Sequence, residues 1–173
     1  MPDFTSDVSF YLNGRRVDLR NVSPSLLLVD FLREQGLTGA KIACGEGGCG
    51  ACTVMLSRLD RGRTTVEHVA INSCLRPVCA VDGMEVTTVE SLGSVRTGLD
   101  PVPYRVAAHN GSQCGFCTPG VVMSAHAFLC EHPHPSAREI EQSLDGNICR
   151  CTGYKRILEA ILDAGRRMAG AAR

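Results

Sequence analysis

The sequence predicts an α+β protein of two units, a strand-and-helix unit followed by an all-helical one. Short strand-like runs dominate the first part of the chain, about 90 residues long. Amphipathic helical patterns replace them after residues 93–102, which are rich in glycine and proline. The chain has ten cysteines among its 173 residues, and without a secretory signal they favour bound metal over disulfides.

The composition limits the classes of function. Hydrophobic residues make up 44% and charged residues 21%, values typical of a globular chain with a buried core. Eighteen basic residues balance eighteen acidic ones, which argues against nucleic acid as the main partner. No apolar run approaches the roughly 20 residues that span a bilayer, and the first residues resemble no signal peptide. We therefore expect a cytoplasmic protein that contacts neither membrane nor nucleic acid.

A β-hairpin and a helix open the first unit. Strand-like runs on either side of Asn13-Gly14 predict the hairpin. A helix is expected next, because Ser23 suits the N-cap, Pro24 the first helical position and Gly36 the residue after the helix end. The expected strands are 8–12, 16–19, 53–57, 65–71, 78–81 and 85–87, and the inward-facing helix residues are Leu27, Leu28, Phe31 and Leu32.

Four helices account for the second unit. Thr118 is expected to cap the second of them, and Ser136 with Glu139 forms a capping box before the third. A unit of about 70 residues is small, so we expect it to depend on bound metal and on contact with the first unit. The expected helices span about 104–110, 119–129, 137–144 and 154–168.

The first four ligand-type cysteines have the spacing of an iron–sulfur site. Cys44, Cys49 and Cys52 are separated by four and two residues, and Cys74 follows after 21 more. This is the C-x4-C-x2-C…C spacing of plant-type [2Fe–2S] ferredoxins. Glycines between these cysteines can wrap a loop around a cluster and bring backbone N–H groups to its sulfurs. Zinc fits less well, because its sites usually use paired C-x2-C motifs. The loop glycines are Gly45, Gly47, Gly48 and Gly50.

A second set of four cysteines lies in the helical unit, as one C-x2-C pair and one C-x-C pair. Both pairs lie at expected helix starts, where free N–H groups and the positive end of the helix dipole stabilise thiolates. The spacing alone is equally compatible with a [2Fe–2S] cluster and with zinc. Cys79 and Cys130 belong to neither set, and we expect them to be small apolar filling residues rather than ligands. The second set is Cys114, Cys117, Cys149 and Cys151.

Taken together, these motifs resemble a known family. Residues 44–54, 72–75, 113–120 and 146–154 are similar to the iron–sulfur part of the molybdenum hydroxylases, the xanthine dehydrogenase and aldehyde oxidase family. The resemblance covers about residues 8–165, and all eight cysteines match in order and spacing. It implies an N-terminal β-grasp plant-type ferredoxin domain over 1–92, a linker over 93–102 and a four-helix [2Fe–2S]-binding domain over 103–173. It also implies one [2Fe–2S] cluster on Cys44, Cys49, Cys52 and Cys74, and a second on Cys114, Cys117, Cys149 and Cys151.

The resemblance further implies an electron-transfer role with no catalytic residue in this chain. In the family the helical-domain cluster lies beside molybdopterin and the ferredoxin cluster nearer the flavin, so electrons pass from molybdenum through both clusters to FAD. Gln113 and Cys151 match positions that lie against the pterin. Because the chain ends at Arg173, we expect molybdopterin on a large partner subunit and FAD on a medium one, assembled as a dimer of heterotrimers.

Some features bear on the branch of the family. The connection to Cys74 carries a long insert, 57–63, which resembles the xanthine dehydrogenase and aldehyde oxidase branch. Asn110 stands where a histidine is expected, with His109 one place earlier, and Arg156 stands where relatives often have proline. The substrate therefore stays open among purines, other N-heterocycles and aldehydes. The alternative function is a free-standing ferredoxin-like electron carrier or redox sensor.

The two cysteine sets predict which substitutions remove iron. Cys49→Ser and Cys149→Ser should each damage one cluster, lowering the iron content by up to about half, because each removes one of four ligands. Cys79→Ser and Cys130→Ser should leave both clusters intact. Iron analysis of the four purified variants checks this, and iron loss in the Cys79 variant would show that the ligands are misassigned.

Overall fold

The computed structural model describes residues 6–60, 62 and 64–171 of the chain. Positions 61 and 63 of the predicted insert lie outside the described residues, as do 1–5 and 172–173 at the ends of the two predicted domains. The strands are β1 (Val8–Leu12), β2 (Arg15–Leu19), β3 (Thr53–Leu59), β4 (Val66–Asn72), β5 (Glu85–Thr87), β6 (Gly93–Ser94) and β7 (Gly98–Leu99). The helices are α1 (Leu28–Glu34), α2 (Pro101–Ala108), α3 (Thr118–Glu131), α4 (Ala137–Ser143) and α5 (Lys155–Ala171).

A mixed five-stranded sheet with the order β2-β1-β5-β3-β4 forms the first unit. β1 runs parallel to β5, and the other neighbouring strands are antiparallel. The predicted hairpin is confirmed: Leu12 pairs with Arg15, and Asn13 and Gly14 both have positive φ, as a tight two-residue turn requires. One helix packed on a mixed sheet of this kind is the β-grasp architecture that the resemblance implies.

Helix α1 supplies much of the core of this unit. Phe31 meets Phe10 of β1 edge to face, with ring centroids 5.8 Å apart, and both side chains are buried. The helix is shorter than predicted, because Leu27 is extended and pairs with Pro77 and the N–H of Leu28 donates to the carbonyl of Arg76. Ser23 and Pro24 therefore lie outside the helix, and the prediction that they begin it is wrong.

The end of α1 lies where predicted, whereas the run 78–81 differs from its prediction. Gly36, with a φ of +79°, directly follows the C-cap residue of α1, as predicted. The run 78–81, predicted as a strand, is instead a short 3-10 turn, Val78–Val81, whose two valines are fully buried. An apolar run of four residues fits either form, and here the turn returns the chain from Pro77 to the Gly83 bend before β5.

The second unit is four helices, α2 to α5, around a common apolar core. Buried residues of the long helix α3, including Val121, Met123 and Ala125, pack with Ile157 and Ile161 of α5. The capping box of Ser136 and Glu139 is confirmed at the start of α4. No helix within the described residues combines the length and the apolar character needed to cross a membrane.

The segment joining the units contains regular structure. Residues 93–102, predicted as a linker, include the small hairpin β6–β7 and the first turn of α2. The carboxylate of Asp100 caps α2 by accepting from the N–H of Val102, so this helix begins three residues before Tyr104. Met55 of the sheet and Leu92 belong to the same core cluster as α3 and α5, so the two units share buried apolar surface.

Candidate metal centres

The first cysteine set lies where the loop after α1 meets the ends of β3 and β4. Cys52 immediately precedes β3, and Cys74 follows β4. Thr53 pairs with Asn72 in the antiparallel ladder, and the Ser73 hydroxyl donates to the Cys52 carbonyl at 2.7 Å. The strand pairing therefore brings the two cysteines together although 21 residues separate them.

The four thiols of this set are arranged as two pairs. Cys52 and Cys74 interact with each other and are each 2% exposed, whereas Cys44 is exposed and interacts with Cys49. The two pairs interact electrostatically through Cys74 and Cys44. A [2Fe–2S] cluster has two irons, each held by two protein ligands, so an inner and an outer pair fit it. Within the part of the chain that the structure describes, no three His, Cys, Asp or Glu side chains converge on one metal-ion position.

Backbone N–H groups of the loop point at the outer pair. The N–H of Glu46 lies 3.5 Å from the Cys44 sulfur and, with the Cys49 thiol and the N–H groups of Gly48 and Cys49, lowers the pKa of Cys44 to about 7. Burial, together with the neighbouring Cys52 thiol, raises the pKa of Cys74 to about 11. A bound metal would supply the positive charge that keeps such buried thiols deprotonated.

The second set joins the start of α3 to the loop between α4 and α5. The Cys114 and Cys151 sulfurs lie 3.6 Å apart and are exposed, and Cys117 interacts with the buried Cys149. The inner and outer pairs of the first set are thus repeated here. Cys117 is the N-cap residue of α3, as the prediction for the first pair requires. The C-x-C pair ends four residues before α5, so the prediction that it lies at a helix start is wrong.

The inner pair of the second set has contrasting surroundings. Burial and the adjacent Cys149 thiol raise the pKa of Cys117 to about 12. Burial also acts on Cys149, but hydrogen bonds from the Thr152 hydroxyl, at 3.1 Å, and the Thr152 N–H lower its pKa. The N–H of Cys149 donates to the Tyr154 hydroxyl at 2.7 Å, and that hydroxyl donates to the carbonyl of Asn147. This network fixes the loop that carries the pair.

A direct contact joins the loops of the two sets. The N–H of Ile148, beside Cys149, donates to the carbonyl of Cys49 at 2.9 Å. The buried amide of Asn147 donates to the carbonyl of Gly50 at 3.0 Å. A single hydrogen bond therefore connects the backbone of Cys49, in the first set, to Ile148, the neighbour of Cys149 in the second set.

Glycine makes this approach possible at two positions. Gly50 has a φ of +69°, and a Cβ there would lie 2.3 Å from the carbonyl oxygen of Gly146. Gly120 lies in the first turn of α3, and a Cβ there would lie 2.1 Å from the carbonyl oxygen of Gly50. Of the other predicted loop glycines, Gly45 and Gly47 also have positive φ, whereas Gly48 does not.

Exposed side chains lie next to the outer pair of the second set along the chain. Gln113 is exposed just before Cys114, with exposed Phe116 and Ile148 on the same two loops. The Gln113 side chain has no hydrogen-bond partner among the described residues, so it does not cap α3. Thr118 does not cap that helix either, because its hydroxyl is hydrogen-bonded to Ser112. The prediction that Gln113 faces a pterin is compatible with this exposure and stays a prediction.

The two departures from the family pattern have local explanations. Asn110 ends α2 in the left-handed region, with a φ of +55°, which asparagine tolerates better than most residues. His109 and Arg105 both contact the carboxylate of Asp163 on α5, at 3.1 and 3.2 Å. Arg156 is exposed and pairs with a glutamate one turn along the same helix. None of these residues contacts a cysteine of either set.

Sequence reasoning missed Asn147 and misjudged two cysteines. Asn147 is 5% exposed and spans the two loops, a role that no spacing pattern marks in advance. Cys79 and Cys130 are both exposed, so the prediction that they are apolar filling residues is wrong. They lie outside both clusters of thiols, on the 3-10 turn after Pro77 and near the end of α3.

Two family models match the chain, one on each unit. A 2Fe-2S iron–sulfur cluster binding domain matches residues 10–80, and a [2Fe-2S] binding domain matches residues 88–162. In the solved structure of quinoline 2-oxidoreductase from Pseudomonas putida 86, a chain aligns with a TM-score of 0.80 at 38% identity, covering 96% of this chain and 95% of that one. The chain belongs to the iron–sulfur part of the molybdenum hydroxylase family.

Other relatives of this iron–sulfur chain are much longer proteins. Xanthine dehydrogenase from Drosophila pseudoobscura pseudoobscura is 53% identical over 156 residues, and aldehyde oxidase 1 from Cavia porcellus is 54% identical over 156 residues. Each match covers 90% of this chain and 12% of the relative. The aldehyde oxidoreductase from Desulfovibrio gigas aligns with a TM-score of 0.83 at 36% identity, over 95% of this chain and 17% of that one. The chain therefore spans about an eighth of the length of the curated relatives it matches.

The close approach of the two loops predicts that replacing a helix glycine by alanine destabilises the protein. Gly120→Ala should lower the free energy of unfolding by about 1–3 kcal/mol, because the added Cβ meets the Gly50 carbonyl oxygen. The thermal midpoint should fall accordingly. Alanine normally stabilises a helix relative to glycine, so propensity alone predicts the opposite.

Gly146→Ala is the matched control for this prediction. It lies on the same contact, but its added Cβ would meet nothing within 4 Å. Its free energy of unfolding should stay within about 0.5 kcal/mol of that of the parent protein, with little change in the thermal midpoint. Calorimetry of the two cluster-loaded variants decides the matter, and equal midpoints would contradict the tight contact.

Proposed function

We propose that this chain is the electron-transfer iron–sulfur subunit of a molybdenum-containing hydroxylase of xanthine dehydrogenase type. It would carry electrons from a molybdopterin centre to FAD during the oxidative hydroxylation of a purine, another N-heterocycle or an aldehyde. The observation that carries the proposal is the hydrogen bond from the Ile148 N–H to the Cys49 carbonyl, which connects two complete sets of four thiols. When bound, a [2Fe–2S] cluster supplies one-electron redox chemistry.

The residues of each set have assigned roles in this proposal. Cys44, Cys49, Cys52 and Cys74 hold the first cluster, and Gly45, Gly47, Gly48 and Gly50 form its loop. Cys114, Cys117, Cys149 and Cys151 hold the second. The inner pairs are the less exposed ones, and each outer pair has at least one exposed thiol, where a partner can approach. The division into 1–92, 93–102 and 103–173 is part of the same proposal.

Exposed apolar side chains near the second set support a partner chain at this surface. Gln113 and Cys151 lie at this surface, with Phe116 and Ile148 exposed by 47% and 58%. Apolar side chains of this size gain free energy when a partner covers them. The partners that we propose are a large subunit with molybdopterin and a medium subunit with FAD, in a dimer of heterotrimers. A cytoplasmic location suits the ten free cysteines, since reducing compartments preserve thiols.

The alternative function is a free-standing ferredoxin-like carrier or redox sensor. Purification under mild conditions from the native source separates the two. The subunit assignment predicts that molybdopterin- and FAD-carrying chains elute with this one, with four irons and four acid-labile sulfides per copy of this chain. A chain that elutes alone with four irons would support the carrier, and two irons with one zinc would remove the second cluster.

The position of Gln113 predicts a kinetic effect without cluster loss. Gln113→Ala should weaken the magnetic coupling between molybdenum and the nearer cluster and slow substrate-driven reduction in the assembled complex. The reason is that Gln113 is exposed beside Cys114 and has no partner within the described chain.

A second glutamine serves as the control for the Gln113 experiment. Gln35→Ala changes an exposed glutamine at the end of α1, where only its backbone makes capping bonds. Rapid mixing with substrate and electron paramagnetic resonance should show a change in the first variant alone. Unchanged rates and unchanged coupling in both variants would contradict the pterin contact.

A further inference from the structure

A carboxylate, an imidazole and a thiol lie in line where α2 begins and α3 ends. His126 and Cys130 are four residues apart on α3, so their side chains share one helix face. The Cys130 sulfur lies 3.8 Å from Nε2 of His126. On the other side of the ring, Oδ1 of Asp100 lies 3.4 Å from Nδ1. The order carboxylate, imidazole, thiol is one that activates a cysteine in proteins.

The surroundings keep the imidazole charged beside an accessible sulfur. The His126 side chain is 12% exposed, and its buried Nδ1 faces the carboxylate of Asp100 without a well-aligned hydrogen bond. Burial opposes the charge, yet Asp100 and Cys130 raise the pKa of His126 to about 9. Cys130 itself is exposed. A protonated imidazole next to a thiol favours the thiolate, which is the nucleophilic form.

We propose that Cys130 is a site of oxidative modification, at which the thiolate reacts with a hydroperoxide. The sulfur attacks the terminal oxygen of the peroxide, and the O–O bond breaks. The leaving oxygen takes the proton of the His126 imidazolium and departs as water or as an alcohol. The sulfur loses two electrons to the peroxide and becomes a sulfenic acid, which a small thiol converts to a mixed disulfide with loss of water.

The site is separate from the two thiol sets. Cys130 lies near the far end of α3 from Cys117, roughly 20 Å along the axis at 1.5 Å per residue. Cys79 provides an internal comparison, because it is also exposed and lies outside both sets. Its thiol has no hydrogen-bond or ionic partner among the described residues. The two cysteines differ in the presence of His126 and Asp100.

The test compares these two cysteines in the same molecules. Cluster-loaded protein, in its native assembly, is treated with dilute hydrogen peroxide and dimedone, which traps sulfenic acids. Peptide mass spectrometry then gives the labelling rate at Cys130 and at Cys79. We expect Cys130 to be labelled about tenfold faster, because the His126 imidazole lies beside its sulfur and can protonate the leaving oxygen, whereas Cys79 has no such neighbour. Equal rates, or no label on Cys130, would overturn the proposal.

Two variants separate activation from simple exposure. His126→Gln should lower the Cys130 rate to that of Cys79, and Asp100→Asn, which keeps an oxygen to cap α2, should lower it by a smaller factor. Visible absorption of the clusters verifies that each variant is intact. An unchanged Cys130 rate in intact His126→Gln would overturn the proposal, and if that variant loses its clusters, an unchanged rate in Asp100→Asn does so.

Discussion

The hydrogen-bonded contact between the two thiol-bearing loops is the constraint on which the rest of the structure depends. It requires a left-handed glycine at position 50, a second glycine at the start of α3 and a buried asparagine between them. Since a carbonyl and an N–H satisfy each other there, the contact is compatible with a dry interface. In the first unit, the pairing of β3 with β4 positions the loop at this contact. In the second unit, the hydrogen bond from the Tyr154 hydroxyl to the Asn147 carbonyl holds the other loop there.

The distribution of exposure around this contact suits a relay. In each set one pair of thiols is less exposed than the other: Cys52 and Cys74 are buried in the first set, and Cys149 is buried and Cys117 half-buried in the second. The more exposed pair of each set is accessible to a partner. Around Cys44, N–H donors of the glycine loop favour the thiolate, whereas at Cys149 the Thr152 hydroxyl and N–H do so. Because hydrogen bonds to sulfur tune reduction potentials, two such different surroundings should give clusters with different potentials.

Much of this architecture could be predicted from the sequence, because its signals are local. The Asn13-Gly14 hairpin, the Ser136 capping box and the short cysteine motifs at 44–52, 114–117 and 149–151 each depend on residues close together in the chain. Three of the failures share one cause, which is tertiary contact overriding a local preference. Leu27 pairs with Pro77 instead of entering α1. Residues 78–81 form a 3-10 turn instead of a strand. The hydrogen bond from Asn147 to Gly50 exists only when the two loops are in contact.

The most direct test of the account is anomalous diffraction from crystals of the purified assembly, measured on both sides of the iron and zinc edges. The account predicts two di-iron sites in this chain, one between Cys44, Cys49, Cys52 and Cys74 and one between Cys114, Cys117, Cys149 and Cys151. It also predicts that the backbone bond between Ile148 and Cys49 lies between them. A zinc signal at the second set, or iron bound by Cys79 or Cys130, would contradict it.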